Sequence, residues 1–250
     1  MPRFYWLIII KDSTVIFPTT IQKQLFCILL LVLTSTGIYF NSLKGSFQFD
    51  DVPLISKPWI KNLDSFNRFV KITSFENRPI LLWTYALNNS LGKNKEFGFH
   101  LLNLLLHIGV TLLIFLSVLK TYSFIRGRNN TENRPVGTTS GTNILLFPLI
   151  TALIFSLHPL NTDSVAYISS RSSLLATFFY LMSLYLFLNI FDYDKDKNLL
   201  SKRLLLIPLV ATTMYLSLAS KLIAATLPLL LCFWYFVFVF PNKNYGKIWE

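Results

Sequence analysis

Six long apolar segments run through the chain and constrain its fold more than any other feature. They cover residues 24–40, 99–119, 144–160, 165–191, 204–219 and 222–240. A helix needs about 20 mostly apolar residues to cross the hydrocarbon core of a bilayer. Charged residues make up only 14% of the chain, against roughly 25% in soluble domains. The sequence therefore predicts an all-α polytopic membrane protein with about six transmembrane helices.

The last two apolar segments raise the question of whether they form one helix or two. A single helix over 204–240 would be about 55 Å long at 1.5 Å per residue, whereas the hydrocarbon core is ~30 Å thick. We therefore predict a turn near Ser220 and Lys221, which places Lys221 at a membrane face. The third and fifth segments are short and end at polar residues, which is typical of helices that border a polar cavity.

The distribution of Lys and Arg predicts the orientation of the chain. Basic residues in short loops favour the cytoplasmic side, and most of those outside the long loop 41–97 fall on the side of the N-terminus. We interpret 1–23 as a cytoplasmic or interfacial leader, 24–240 as the transmembrane module, 120–143 as an inner loop and 241–250 as a C-terminal tail. The net charge of +11 is thus explained by the bilayer, and no nucleic-acid partner is expected.

The first outer loop, 41–97, is rich in aromatic residues, including Trp59, Trp83 and Tyr85. Its apolar residues over 78–91 can form one face of a helix that lies in the membrane interface. We therefore expect interfacial helices within this extracytoplasmic loop.

Two adjacent carboxylates, Asp50 and Asp51, follow the first span. Like charges this close, in an aromatic setting, can raise one pKa, which suits a general base that acts on a hydroxyl; metal binding is another interpretation. The simpler alternative is a solvated loop pair or a helix cap.

His100, Asn103 and His107 lie on one face of the second predicted span, because spacings of three and four residues return to the same side of a helix. The two histidines are about 10 Å apart along the axis, too far to bind one ion together. An interhelical stripe of hydrogen bonds is the simpler interpretation.

The third outer stretch carries His158, Asp163 and Arg171, and Lys221 follows the fifth segment. An arginine within a span is costly and needs a partner. A lipid phosphate fits its planar fork of donors; an internal ion pair with Asp163 or Asp50 is the alternative. Lys221 can be a phosphate ligand or a snorkelling anchor. The predicted topology brings all these groups to the outer face, which favours a wet cleft.

Five motifs in order resemble a known family. They are Asp50-Asp51, Asn77-Arg78-Pro79, the run 98–107 (GFHLLNLLLH), His158-Pro159 with 163–168 (DSVAYI) and Arg171, and Ser220-Lys221 before Leu227-Pro228. This order is similar to the membrane half of the transmembrane and tetratricopeptide-repeat O-mannosyltransferase-like proteins, which are GT-C glycosyltransferases. The resemblance covers about 37–235.

The resemblance implies an enzyme that moves a sugar from a polyprenyl-phosphate carrier to a hydroxyl, such as a protein Ser or Thr, at the extracytoplasmic face. Asp50 or Asp51 would be the general base. Basic groups would hold the donor phosphate, and the substrate-binding candidates are His158, Arg171, Lys221, Asp163, Arg78 and His100. The cofactor question stays open between none and a divalent metal ion. The expected partners are the lipid-linked sugar, an acceptor protein or glycan, and the bilayer.

Two departures from the family pattern support a second hypothesis. The family usually has an acid where this chain has Leu222, and many relatives have one where this chain has Ser172-Ser173. The chain ends at Glu250 without helical repeats. It would then be a non-catalytic membrane subunit or a degenerate fragment that binds a lipid carrier, with a partner chain supplying further helices or repeats. A bacterial inner membrane is favoured over the ER membrane as its location.

Overall fold

Helices joined by short turns form the computed structural model, which describes residues 19–70, 78–92, 95–130, 143–191 and 199–240. The α-helices are α1 (Thr19–Tyr39), α2 (Asp51–Ile55), α3 (Leu63–Val70), α4 (Pro79–Gly92), α5 (Glu96–Asn130), α6 (Asn143–Leu157), α7 (Asn161–Ala166), α8 (Arg171–Ile190), α9 (Leu199–Ser220) and α10 (Leu227–Trp234). Within these ranges there is no strand, so the all-α class is confirmed.

Within the described residues, five helical stretches are long and apolar enough to cross a membrane by length and composition. They are Ile21–Lys44, Glu96–Ile125, Ile168–Ile190, Arg203–Ser220 and Leu222–Val239. The apolar part of α6, Ile144–Leu157, is shorter and ends where His158 and Pro159 follow. The chain is therefore a multi-pass integral membrane protein, and its described part contains five helices of spanning length and one shorter apolar helix where six spans were predicted.

The predicted turn between the last two segments is confirmed. Helix α9 ends at Ser220, and Lys221 has extended backbone with φ −160° and ψ 134°. A 3-10 helix, Leu222–Thr226, then leads into α10. Lys221 therefore lies at the break between the last two spans, at the end where its side chain contacts the start of α8.

Two predicted boundaries differ from the structure. Helix α5 continues to Asn130, well into the predicted inner loop 120–143, and residues 131–142 of that loop lie outside the described residues. The predicted fourth span, 165–191, is interrupted: α7 ends at Ala166, a 3-10 turn covers Ile168–Ser170, and α8 begins at Arg171. Arg171 is consequently the first residue of its helix. Most of the predicted leader and the whole predicted tail also lie outside the described residues.

Small polar side chains join the spans to one another. Ser35 Oγ of α1 lies 2.7 Å from Ser156 Oγ of α6. The hydroxyl of Ser217 in α9 donates to Ala176 O of α8 at 2.7 Å. Such hydrogen bonds between helices are typical of packing in a membrane, where the hydrophobic effect does not drive helices together.

The first loop is folded against one end of the bundle. Ile55, Ile60 and Phe66 from the loop pack with Tyr85 of α4 and with Phe99 at the start of α5. Helix α4 also matches the predicted helix over 78–91, although its position in the membrane interface stays a prediction. The loop thus forms a cap, and this cap contributes the acidic pair to the site.

Candidate functional site

The predicted polar residues lie together at the end of the bundle that the first loop covers. Here Nε2 of His100, at the start of α5, lies 3.1 Å from Gly45 O after α1. Tyr39 OH, at the end of α1, donates to His158 O after α6 at 3.4 Å. Lys221 Nζ, after α9, donates to Ser173 Oγ at the start of α8 at 2.8 Å. We call this region the capped end.

Asp51 is a buried carboxylate with three donors around it. Its Oδ1 accepts hydrogen bonds from the main-chain N–H of Ser169 at 2.8 Å and from the Ser169 hydroxyl at 2.6 Å. Its Oδ2 accepts from the N–H of Gln48 at 3.2 Å. With 1% of its surface exposed, Asp51 is held in place by these bonds and ties the first loop to the turn before α8.

Asp50, in contrast, is exposed and lines a cleft of about 480 Å³. The same cleft is bordered by Ser169, Lys57, Arg78 and Trp59, with leucines forming an apolar part of the wall. Adjacent in sequence, the two aspartates are thus in different environments. Of the two, only Asp50 lines the cleft.

The backbone is strained on both sides of this cleft. Phe49, next to Asp50, has φ of 41°, and Arg78 has φ of 50°. These are the two non-glycine residues with positive φ in the described part of the chain. The left-handed region costs a non-glycine residue about 1–3 kcal/mol, and such residues cluster at functional sites. In Arg78 the conformation is also unusual because the following Pro79 favours extended backbone.

Arg171 is completely buried and is held by neutral groups. Its Nε donates to Asn103 Oδ1 at 2.7 Å, one terminal nitrogen donates to Thr84 and Asn88, and the other to Phe99 O at 2.9 Å. Neither predicted ion pair, with Asp163 or with Asp50, is present. Arg171 therefore joins α4, α5 and α8 in one block, and its guanidinium does not reach the cleft.

The turn that carries Ser169 is held by side chains of α4 and α5. The phenol of Tyr85 donates to Ile168 O at 2.9 Å, and Asn103 Nδ2 donates to Val165 O and Tyr167 O. Burial raises the pKa of the Tyr85 phenol above its ordinary value, although the nearby Arg171 cation opposes this shift. The phenol consequently stays protonated and remains a donor. The block below the turn thereby sets the position from which Ser169 contacts Asp51.

The stripe of α5 contacts neighbouring elements, but only His100 and Asn103 do so through side-chain hydrogen bonds of the kind that the simpler interpretation predicts, whereas His107 makes ring contacts. His100 is 1% exposed and contacts Gly45, and Asn103 contacts Arg171 and the α7–α8 turn. His107 lies against the ring of Tyr39, with centroids 4.9 Å apart, and stacks on Phe155. None of the three lines the cleft.

Of the remaining candidates, Arg78 and Lys221 contact the start of α8, whereas His158 and Asp163 lie outside the cleft lining. Arg78 donates weakly to Ser172 Oγ at 3.5 Å, beside the contact of Lys221 with Ser173. His158 is exposed, and its Nδ1 accepts from the N–H of Leu160 at 3.2 Å. Asp163 is exposed and accepts from the Ser170 hydroxyl at 3.2 Å. His158 and Asp163 do not line the cleft.

The structure adds functional candidates that sequence reasoning missed. Ser169 and Lys57 border the cleft, and Thr84 and Asn88 hold Arg171. A serine in a turn and a lysine in a basic loop carry no distinctive sequence signal. The aromatic content of the first loop did point to Trp59, which stacks on Phe69 with ring centroids 4.5 Å apart.

The described residues contain no group of three or more His, Cys, Asp or Glu that could hold a metal ion. Asp51 Oδ1 is already bonded twice to Ser169, which leaves Asp50 as the free carboxylate of the cleft. The donor set of the described residues therefore does not fit a metal site made by the protein alone.

Sequence comparison gives this site a family context. Human protein O-mannosyl-transferase TMTC3 is 29% identical over 170 residues, which are 62% of this chain and 16% of that protein. The chain is similar to the TMTC proteins. Human TMTC4 is 28% identical over 192 residues, 69% of this chain and 24% of that protein. The Caenorhabditis elegans protein O-mannosyl-transferase F38B6.6 is 29% identical over 171 residues, 63% of this chain and 22% of that protein.

These relatives confirm the resemblance that the five motifs predict. The chain spans less than a quarter of the length of each of these TMTC proteins. No family model matches the chain, and no solved structure does.

Proposed function

We propose that this chain is a membrane glycosyltransferase, or the N-terminal module of one, that transfers a sugar from a polyprenyl-phosphate donor to a hydroxyl. A protein Ser or Thr is the acceptor. The observation that carries the proposal is the cleft at the capped end, where Asp50 is exposed next to the fixed Asp51. The TMTC relatives, named protein O-mannosyl-transferases, support mannose as the sugar and protein as the acceptor.

Asp50 acts as the general base in this proposal. Its carboxylate takes the proton of the acceptor hydroxyl while the hydroxyl oxygen attacks the anomeric carbon of the sugar. The bond between that carbon and the phosphate oxygen breaks, and its electron pair leaves with the polyprenyl phosphate. Attack opposite the leaving group inverts the anomeric centre. A positioned base of this kind contributes typically 10²–10⁴-fold to a rate.

Asp51 holds the geometry and does not take the proton. Both of its oxygens accept hydrogen bonds from the protein, and it is almost fully buried. It therefore fixes the segment before α2 so that Asp50 faces the cleft. Arg171 acts one step further away, because it braces the turn that carries Ser169.

Cations near the cleft stabilise the leaving phosphate, where negative charge develops during transfer. Arg78 lines the cleft and contacts Ser172 at the start of α8, and Lys221 contacts the neighbouring Ser173. His158, Asp163 and His100 are assigned supporting roles at the rim and in the packing of the capped end. This assignment places the lipid-linked donor on the side of α8 and the acceptor at the open side of Asp50.

The capped end is proposed to face the extracytoplasmic side, in keeping with the cytoplasmic N-terminus that the Lys and Arg distribution predicts. A cysteine introduced at the exposed Ser56 tests this in intact cells. Labelling of Ser56→Cys by a membrane-impermeant maleimide is expected without permeabilisation. Labelling only after permeabilisation would show that the capped end faces the cytoplasm.

A transfer assay tests the function directly. Membranes containing the protein are supplied with labelled polyprenyl-phosphate mannose and an acceptor peptide rich in Ser and Thr. We expect Asp50→Asn to lower the rate by at least about 100-fold, and Asp64→Asn, an exposed aspartate of α3, to leave it unchanged. Full activity of Asp50→Asn would refute the role of Asp50 as the general base. Absence of transfer by the wild type, with retained binding of the lipid carrier, would favour the non-catalytic subunit.

A further inference from the structure

We propose that His107 makes the contact between α1, α5 and α6 sensitive to pH, so that protonation of its ring loosens the end of α1 from the bundle. The enclosure of the imidazole, the hydrogen bonds beside it and the direct link from α1 to the first loop support this proposal. The movement of α1 does not depend on the proposed function; only its effect on sugar transfer rests on that function.

His107 is an enclosed histidine whose ring has no hydrogen-bond partner in the described part of the chain. None of its surface is exposed. The imidazole meets the ring of Tyr39 edge-on, with centroids 4.9 Å apart, and stacks on Phe155 of α6 with centroids 5.6 Å apart. Neither Nδ1 nor Nε2 takes part in a hydrogen bond. These surroundings suit a neutral aromatic ring.

Protonation changes what this ring requires from its surroundings. A neutral imidazole has one N–H donor, whereas an imidazolium has two and carries a full charge. A buried charge without a hydrogen-bonded partner is very costly, and attraction to the faces of neighbouring aromatic rings leaves both N–H groups unbonded. A ring exposed to water has the ordinary histidine pKa of about 6.5. Below that pH, each unit therefore favours an arrangement with an exposed His107 by up to about tenfold.

The carbonyl groups beside His107 are bonded to Tyr39 instead. The phenol donates to Ser156 O at 3.3 Å and to His158 O at 3.4 Å, and both distances are long for a bond donated by a hydroxyl. The Ser156 carbonyl also faces the imidazole, outside good hydrogen-bond geometry. An imidazolium at His107 can bind this carbonyl only by displacing the phenol. Protonation therefore removes a contact that holds the end of α1 against α6.

No charged side chain of the described residues bonds to the His107 ring and compensates a charge there. Five neighbouring elements pack against α5, namely α1, the 3-10 helix Phe40–Lys44, α6, α7 and α8, and the start of α4 also contacts it. The titratable and charged groups that lie at this end of these elements and of α5 itself are Tyr39, Lys44, Tyr85, Glu96, His100, His158, Asp163, Tyr167 and Arg171. The acid nearest in sequence to α6, Asp163, is exposed and accepts from Ser170.

The end of α1 leads directly into the loop that carries the acidic pair. Helix α1 ends at Tyr39, and the 3-10 helix Phe40–Lys44 continues to Gly45. The carbonyl of Gly45 lies 3.1 Å from Nε2 of His100, which is two turns from His107 on the same helix. Asp50 follows five residues after Gly45. A shift of Tyr39 is thus passed to the segment that positions the proposed base, and transfer is expected to fall when His107 is protonated.

Spin-label distances measure the movement in the whole protein. Labels are attached to cysteines at the exposed Asn41, after α1, and Leu222, after α9, in a background of Cys27→Ala and Cys232→Ser. Pulsed EPR in nanodiscs of neutral lipid records their separation from pH 8 to pH 5. We expect one distance population at pH 8 and a second one that grows, relative to the first, by up to about tenfold per unit below pH 6.5. His107→Phe preserves the ring contacts and cannot be protonated, so only the first population is expected at every pH.

Because the chain has three histidines, the other two supply matched controls. His158→Gln removes an exposed ring, and His100→Gln removes the ring beside Gly45 while keeping an N–H donor. Both variants should retain the second population at low pH. Its persistence in His107→Phe, its loss in either control variant alone, or its absence from the wild type would overturn the proposal. Circular dichroism at each pH distinguishes the movement from unfolding, and His107→Gln, which also cannot be protonated, replaces His107→Phe if that variant does not fold.

The same variants separate this proposal from the proposed function. Movement as expected without any transfer at pH 8 would refute the proposed function alone. Transfer that shows the wild-type pH profile in His107→Phe, although the movement is abolished, would refute the link between α1 and the proposed base. A wild-type activity that falls more steeply below pH 6.5 than that of His107→Phe is the expected result.

Discussion

Ser169 donates two hydrogen bonds to one oxygen of Asp51, from its main-chain N–H at 2.8 Å and from its hydroxyl at 2.6 Å, across 118 residues of sequence. This contact joins the first loop to the turn before α8. Because the neighbouring Asp50 lines the cleft, the orientation of the proposed base depends on a serine that has no obvious chemical role of its own.

Removal of the Ser169 hydroxyl is expected to weaken catalysis more than folding. Ser169→Ala loses the 2.6 Å bond but keeps the N–H bond, so Asp51 is less firmly held. A small misplacement of a catalytic group can lower a rate by up to about 10²-fold, so we expect kcat to fall roughly tenfold or more with little change in donor KM. The measurement is steady-state transfer at varied donor concentration.

Two further variants decide whether this effect is specific. Ser169→Thr retains the hydroxyl and should restore most of kcat. Ser170→Ala removes only a contact with the exposed Asp163 and should leave kcat unchanged. Equal losses in Ser169→Ala and Ser170→Ala would show that the turn is merely sensitive to substitution.

The spans were predictable from sequence because a membrane helix is defined by length and apolar composition. The turn at Lys221 followed from length alone. The extension of α5 to Asn130 could not be predicted, because the polar end of a helix beyond the bilayer carries no hydropathy signal. The interruption between Ala166 and Arg171 was also missed, because the residues there are apolar or small and depend on side-chain contacts from α4 and α5.

The site was predictable in its location but not in its division of roles. Topology brings Asp50, Arg78 and Lys221 to one end, whichever way their side chains point. The environment of Arg171 could not be anticipated, because its partners are amides, a hydroxyl and a carbonyl, which carry no charge to mark them. The sequence equally gives no sign that one of two adjacent aspartates is buried and the other exposed.

Arg171 is expected to stabilise the fold, and a lysine should not replace it. Arg171→Lys keeps the charge but lacks the planar fork, so some of the oxygens of Asn103, Asn88, Thr84 and Phe99 lose their donor. Each buried acceptor that is left without its donor costs about 1–3 kcal/mol. Thermal unfolding in detergent micelles measures the loss. Arg203→Lys, whose arginine donates one bond to Ile190 O, is the control and should lose less than about 1 kcal/mol. A normally stable Arg171→Lys with weakened donor binding would instead favour Arg171 as a phosphate ligand.

Tyr85 gives a pH-dependent contribution to stability with a defined sign. Burial raises the pKa of its phenol in the folded protein, whereas the unfolded chain titrates near the ordinary value of 10. The contribution is therefore complete below pH 10 and is lost as the pH rises above it, by up to about 1.4 kcal/mol per pH unit. Melting temperatures from pH 8 to 11 should show the advantage of wild type over Tyr85→Phe shrinking above pH 10. A constant difference would mean that the phenol ionises equally in both states.

Gly45 is required by the close approach of His100. A Cβ at Gly45 would lie 3.0 Å from His100 Nε2 and 3.1 Å from Ser42 O, so Gly45→Ala must displace the ring or the loop. Overpacking of this kind costs typically 1–3 kcal/mol, visible as a lower melting temperature. Gly37→Ala is the matched control, since nothing lies within 4 Å of its Cβ position and alanine favours the helix. Equal effects of the two substitutions would refute the steric argument.

The contact of Ser35 with Ser156 tests how much a polar bond between spans contributes in this protein. Ser35 Oγ also donates to Leu31 O at 2.7 Å, so its single proton is engaged and Ser156 is the donor between α1 and α6. A double-mutant cycle with Ser35→Ala, Ser156→Ala and the pair, measured by unfolding in micelles, should give a coupling free energy of about 0.6 kcal/mol and not above roughly 1.7 kcal/mol. We expect Ser35→Ala to cost more than Ser156→Ala, because it leaves the buried Ser156 hydroxyl without its acceptor, whereas Ser35 keeps its bond to Leu31 when Ser156 is removed. A coupling of zero would mean that the two helices are held together by packing alone.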